Sequence, residues 1–328
     1  MKQIQGMPTG SVTRFLALLA SAGLWVISFA TLADGFPSRP ISFVVPWGVG
    51  GGSDQTAREI AHELSERLKV AVPVLNVPGA TGTIGIAKVV DAPADGYTIG
   101  LMAADTYALL VSDPPAQWKD SQLIPLAVMI QQPSAIIVAQ NGPYKTWQDM
   151  VNAAKQKPDS VSIAVGGVGS PQDITINFLR SQDVRILSVP YAKPGERYTA
   201  VLGGQIDGFY EALGNVRGQL DSGKMKPLLI FCSQRTVWFP DVPCSKEVGL
   251  NITLPQFRAV VVKAGTDPGA IRVLSDALAD VAKSATYKAY LQQQYADEDS
   301  YLSQDKAIPF MHQQLDAMGK IWVSSHKP

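Results

Sequence analysis

The sequence predicts an α/β fold with largely parallel sheets, and three observations carry that reading. Short β-branched apolar runs alternate with amphipathic stretches along most of the chain, the order that strand–helix–strand units require. Glycine-rich loops follow three of the apolar runs, at 46–52 (PWGVGGG), 76–82 (NVPGATG) and 166–170 (GGVGS). The composition is 46% hydrophobic and 17% charged, below the ~25% charged residues usual in soluble domains, which suits a large core and excludes disorder and coiled coil.

Taken in order, residues 1–14 carry Lys2 and Arg14 and no acid, residues 15–30 are almost wholly apolar, and Thr31-Leu32-Ala33 offers the small residues read at a secretory cleavage site. Residues 1–33 are expected to be a signal peptide cleaved near Ala33, because the apolar run is shorter than the ~18–20 residues that span a bilayer. A lipid anchor would need a cysteine just after that run, and the chain's two cysteines are Cys232 and Cys244. In an exported protein those two either close a 13-residue loop as a disulfide or stay as separate buried thiols.

The first unit of the mature chain is a strand at 41–45 (ISFVV), the glycine loop, and a helix capped by Ser53 or Asp54 that puts Ala57, Ile60, Ala61, Leu64 and Leu68 on one face. The second runs from a strand at 72–75 through its loop to a short helix at 84–91, and a third strand follows at 97–102. Thr146 and Asp149 form a capping box for a helix at 147–155. A strand at 161–165 leads through the third loop to a helix begun by Pro171, at the position where a missing N–H costs least. Further strands are expected at 185–189, 206–210, 227–232 and 258–262, and helices near 196–202, after Asp267-Pro268, and at 309–323. No flexible linker or repeat at solenoid spacing is present. At about 150 residues per domain, 328 residues suggest two domains, with strands crossing between them.

The charge and motif content narrows the function. Lys plus Arg equals Asp plus Glu at 28 each, so no broad basic surface favours nucleic acid or an anionic membrane. Each glycine loop leaves backbone N–H groups open at a helix start, where the macrodipole favours a small anion, unless the glycines only make tight turns. The stricter phosphate motifs fail: there is no P-loop, and Ser53 stands where a dinucleotide fingerprint needs a small glycine or alanine. No cofactor is implied. Ser53 and Ser170 lack the flanking glycines of a nucleophile elbow, and the three histidines, His62, His312 and His326, are poorly placed for a triad. His62-Glu63 begins a zinc helix motif that Glu66 then breaks, so no metal site is expected.

An ordered set of segments, FPSRPISFVVPWGVGGGSD (36–54), VPGATGTIG (77–85), PADGYTIG (93–100), VPYAKPGE (189–196), LGGQID (202–207) and FPDVPCSKEVGL (239–250), resembles the substrate-binding receptors of tripartite tricarboxylate transporters, the Bug/TctC type. The resemblance implies a periplasmic-binding-protein type II-like Venus flytrap, two α/β domains with a ligand cleft between them: domain 1 at 34–133 and 237–328, domain 2 at 134–236. It implies a monomeric periplasmic receptor, not an enzyme, that delivers a small organic carboxylate to large and small permease subunits, with no nucleic acid partner and no stable membrane insertion of the mature chain. It places Trp47, Gly48, Gly51, Gly52, Ser53 and Asp54 of the first loop and Gly79, Ala80, Thr81, Gly82 and Thr83 of the second around one carboxylate. Ser170, Asp173, Tyr191 and Glu211 come from the second domain.

The chain departs from the family where Asp105 and Thr106 replace a usual histidine segment and where Gly169-Ser170-Pro171-Gln172-Asp173 replaces a Gly-Thr-x-Ser run. Asp105, Asp173 and Glu211 either face the ligand or cap local backbone. Arg258 is the strand-borne cation to test as a carboxylate fork, against a surface role, which is the more usual one for such a residue. The alternatives to transport are a secreted serine hydrolase using Ser53 or Ser170, and a receptor that signals to a sensor.

Overall fold

The structure, a computed structural model, describes residues 35–191 and 193–325. The expected signal peptide lies outside the described residues.

The strands form two sheets. The six-stranded sheet contains β1 (Ser42–Val45), β2 (Val74–Asn76), β3 (Thr98–Ala103), β4 (Leu123–Gln132), β10 (Gln256–Lys263) and β11 (Leu302–Ser303), in the order β11-β4-β10-β3-β1-β2. The five-stranded sheet contains β5 (Ser134–Ala139), β6 (Val161–Val165), β7 (Ile186–Pro190), β8 (Gly208–Ala212) and β9 (Met225–Phe231), in the order β7-β6-β8-β5-β9. The helices are α1 (Gly52–Leu68), α2 (Thr83–Asp91), α3 (Ala104–Tyr107), α4 (Trp147–Gln156), α5 (Pro171–Ser181), α6 (Pro194–Leu202), α7 (Arg217–Asp221), α8 (Pro268–Lys283), α9 (Ala285–Gln293) and α10 (Gln304–Ser325).

The expectation of largely parallel sheets needs correction. β1 is parallel to β2 and β3, and β6 to β7 and β8. β10 is antiparallel to β3 and β4, β11 to β4, and β5 to β8 and β9. The antiparallel pairs come from strands by which the chain changes sheet. β4 passes through Pro133 directly into β5, and after β9 the chain returns to the first sheet as β10. Such a strand enters its sheet from the far end, so it runs against the βα units already there.

Both sheets are buried on their faces, as their apolar strands require. One apolar cluster takes in Val44, Ile86 and Met102 from around the first sheet, Ile136, Ile163 and Tyr210 from the second, and Ala307, Met311 and Met318 of α10. That last helix packs against both β4 and α5, so it ties the two sheets together. Cys232 and Cys244 are joined as a disulfide. It clamps the end of β9 to the returning segment, where Cys244 also bridges to Ile230.

Candidate functional site

The first site segment begins where β1 ends. Helix α1 opens at Gly52, with Gly51 as its N-cap and no side chain capping it. The sequence expectation of a Ser53 or Asp54 cap is therefore corrected: both residues lie inside the first turn and are buried. Asp54 instead turns back and braces the loop. Its carboxylate accepts from Gly50 N–H at 2.9 Å, Arg58 Nε at 3.0 Å and Asn76 Nδ2 at 2.9 Å, while Asn76 also donates to Trp47 O at 2.9 Å. Burial opposes ionisation of Asp54, but these donors outweigh it and hold the carboxyl below its usual value. The first N–H groups of α1 are left without a capping side chain.

The second segment repeats the arrangement with a different backbone. Gly79, Ala80, Thr81 and Gly82 all have positive φ, and α2 follows with no side-chain cap at Gly82. Thr106 Oγ1 donates to Thr81 O at 3.0 Å and so holds the turn to the end of β3. Gly82 is required, since it combines φ +92° with a close approach in which a Cβ would strike the Thr106 side chain. Thr83 starts α2 and is half-buried.

The third segment, after β6, is satisfied internally. Ser170 caps α5, accepting from Asp173 N–H at 3.3 Å and donating to Gly167 O at 2.6 Å. Asp173 accepts from Gly169 N–H at 3.0 Å and Ser188 Oγ at 2.7 Å. Both side chains therefore act within their loop. Tyr191 extends β7, its N–H donating to Val165 O at 2.9 Å, and packs against the apolar cluster of the second sheet. Trp47 is half-buried, and Gly48 and Ala80 are exposed at their loop tips.

The three segments face one another. A Cβ on Gly167 would stand 3.2 Å from Thr81 Oγ1, and a Cβ on Gly52 would run into Asn215 and Arg258. Groups from both sheets thus close over the starts of α1 and α2.

Between them lies a buried polar chain that sequence reading reached only in part. Arg258, 5% exposed on β10, donates from Nη1 to Gln132 Oε1 at 2.8 Å and from Nη2 to Asn215 Oδ1 at 2.9 Å. Asn215 donates to Glu211 Oε1 at 2.9 Å, and Ala212 N–H donates to the same oxygen at 3.0 Å. Glu211 Oε2 pairs with Arg197 Nη2 at 2.9 Å. Asp105, half-buried at the start of α3, accepts from Gln256 Nε2 at 3.3 Å. Burial, then the charge of Glu211, pushes its carboxyl up to about 6 against the pull of Arg197.

Arg197, Asn215, Gln132, Gln172 and Gln256 escaped the sequence reading. The one available signal was Glu211, an acid inside a wholly buried strand, which demands a cationic partner somewhere. No chemistry of the nucleophilic or metal type gathers here. His62 and His312 pair with Glu66 and Asp120 at the surface, and no cluster of metal-ligating residues occurs among the described residues. Among the described residues, no helix is long and apolar enough to cross a membrane.

The comparisons agree with this architecture. Residues 56–324 match the family described as the tripartite tricarboxylate transporter family receptor, TctC. Protein BugT of Bordetella pertussis is 30% identical over 296 residues, 86% of this chain and 89% of the relative. A TctC solute-binding protein from Polaromonas, solved without ligand, is 27% identical with a TM-score of 0.69, covering 88% of this chain and 99% of that one. MatC from Rhodopseudomonas palustris, solved with bound malate, is 23% identical with a TM-score of 0.79, covering 88% of this chain and 100% of that one. The family is described as a receptor, and the Polaromonas relative as a solute-binding protein.

Proposed function

The chain belongs to the tripartite tricarboxylate transporter receptor family, and on that premise we propose that it is a periplasmic receptor for a small organic carboxylate, which it hands to the large and small membrane subunits of a permease. The observation that carries this reading is the contrast between helix starts. α4, α5, α8 and α9 are capped by their own Thr146, Ser170, Asp267 and Ser284; α1 and α2 are not, and unlike α3, α6 and α7, which also lack a side-chain cap, they start from two glycine loops that adjoin, with Asn76 at the head of the second bonding Trp47 O and Asp54 of the first. Open N–H groups and two aligned dipoles form a receptor for one carboxylate.

We take 34–133 with 237–328 as one lobe and 134–236 as the other, in keeping with the division of strands between the sheets. The first lobe supplies the carboxylate grip through Gly51–Asp54 and Gly79–Thr83. The second supplies Glu211 and its hydrogen-bonded partners. Closure brings groups of both lobes onto the solute, so the solute binds the closed state more tightly than the open one and shifts the population toward it.

Thermal unfolding of the mature protein against a panel of mono-, di- and tricarboxylates tests the reading. A ligand at 1,000 times its Kd adds about 4 kcal/mol of stability, which shifts Tm by roughly 8–16 °C in a chain of this size class. A panel that leaves Tm unmoved, after denaturation and refolding have removed any co-purified ligand, contradicts it.

A further inference from the structure

Arg197 is the feature that the carboxylate grip leaves unexplained. Its side chain comes from α6 and is 5% exposed, yet only Nη2 finds a protein partner, in Glu211. Nε and Nη1 are buried without a hydrogen-bond partner, as is Oε1 of the neighbouring Gln172. Buried polar groups are almost always paired with protein, water or ligand, so this set marks a place where something else binds.

The location fits a ligand. Arg197 Nη1 and the Gln172 amide lie over Gly166, where a Cβ would be 3.3 Å from the guanidinium and 3.7 Å from Gln172 Nε2. Gly166 leads into the loop that meets Thr81 of the first lobe. The open side of Arg197 is therefore on the cleft side of the second sheet, across from the uncapped starts of α1 and α2.

We propose that Arg197 receives a second acidic group of the solute and is the specificity-determining residue that makes this chain a receptor for small dicarboxylates over monocarboxylates. The proposal rests on the carboxylate-receptor reading above and names the class of ligand within it. A guanidinium has donors only, so the group it meets must be an acceptor, and an ammonium or other cation is repelled. Glu211 does not compete for the open nitrogens, because Arg197 Nη2, Asn215 and Ala212 N–H already engage both of its oxygens. Arg258 adds a second guanidinium in the same polar chain whose own partners are the neutral amides of Gln132 and Asn215. Two cations thus share this chain with two carboxylates, Glu211, which is fully engaged, and Asp105, which is held by Gln256, so the unfilled hydrogen-bonding capacity on the cationic side is the pair of open nitrogens of Arg197.

The test is calorimetric titration of the refolded mature protein with succinate, glutarate and adipate, and with the monocarboxylate and half-amide of each chain length. For the best diacid, affinity about 10- to 150-fold above that of its monocarboxylate is expected, the range for hydrogen bonds to a charged group. Arg197→Met brings that ratio toward one, and Arg197→Lys restores part of it. Because Arg197→Met strands Glu211 in the interior, the ratio is also measured in Arg197→Met/Glu211→Gln, which leaves no unpaired carboxylate there, with far-UV circular dichroism checking the fold of both variants. Equal binding of diacid and monocarboxylate by the wild type, or an unchanged ratio in both Met variants, overturns the proposal while leaving the receptor reading standing. Failure of every carboxylate to bind overturns the receptor reading itself.

Discussion

Asp54 and Asp173 hold equivalent places in the two halves of the molecule. Each accepts from the glycine N–H four residues before it, Gly50 at 2.9 Å and Gly169 at 3.0 Å. Each is also held by the next parallel strand, through Asn76 on β2 and Ser188 on β7. The same strand–loop–helix brace is thus built twice, and beyond the extra Arg58 bond to Asp54 the copies differ in how the helix is capped. Ser170 caps the second copy, while the first is left open at Gly51. The brace fixes the loop, and the missing cap leaves the first N–H groups of α1 without a side-chain partner, the feature on which the proposed anion grip rests.

Replacing either brace should loosen its loop. Asp173→Ala strands the buried Gly169 N–H and costs about 1–3 kcal/mol, read by urea denaturation, whereas Asp54→Ala, whose backbone donor Gly50 is exposed, costs less. The Asp54 carboxyl lies below its usual 3.8 in the folded chain, held there by Arg58, Gly50 and Asn76 against the opposing effect of burial. Its contribution is therefore present above 3.8 and is lost as pH falls through the lowered value. The stability gap between wild type and Asp54→Asn should close as the medium is acidified below that point.

Asp105 should behave in the opposite sense. Its folded value is raised to about 6 by burial and by Glu211, so the folded chain binds the proton more tightly than the unfolded chain. Stability then falls as pH rises from 3.8 to about 6, and the penalty persists above that. Asp105→Asn should stabilise the ligand-free protein by about 1–2 kcal/mol at pH 7.5, after allowance for partial solvent screening, and have little effect at pH 4. Tm measured across that range in wild type and variant checks the sign.

Gly52 reports on closure. A methyl group there meets Arg258 on β10 of the first sheet and Asn215 in the turn that follows β8 of the second. Gly52→Ala should weaken ligand binding by roughly 5- to 150-fold, the equivalent of an overpacking cost of about 1–3 kcal/mol. Small-angle scattering with saturating ligand should show the variant more open than the wild type.

The Cys232–Cys244 disulfide closes a short loop in the segment that returns the chain to the first sheet. Removing such a cross-link raises the entropy of the unfolded chain, worth roughly 3 kcal/mol in the loop-entropy account. Cys232→Ser/Cys244→Ser should lower Tm by about 6–12 °C relative to the oxidised protein, and added reductant should have no effect on the double variant.

The glycine loops and the strands before them were legible because their signals are local: a β-branched run, then glycine, then an amphipathic helix. β4 and β5 were not, since Pro125 and Pro133 interrupt the apolar run from Leu123 to Ala139 and suggest breaks. β4 accommodates Pro125 at a register irregularity opposite Val261, and Pro133 marks the crossing between sheets. α9 was missed because its apolar residues do not gather on one face, although its Ser284 cap was readable. Arg197 reads in sequence as one more charge on a surface helix. Its burial follows from Glu211, fourteen positions away on a different element, and only folding brings the two together. Ser170 reads as a ligand hydroxyl for the complementary reason, because its partner Gly167 is a backbone carbonyl that no side-chain pattern announces.

Calorimetric titration of ligand-stripped wild type with the strongest carboxylate stabiliser, alongside the amide and methyl ester of the same compound, tests the central claim most directly. The account predicts saturable one-to-one binding of the acid, with the neutral derivatives weaker by at least about tenfold because they leave the N–H groups of α1 and α2 without a charged partner. Equal affinity for acid and ester, or no binding of any carboxylate, would contradict it.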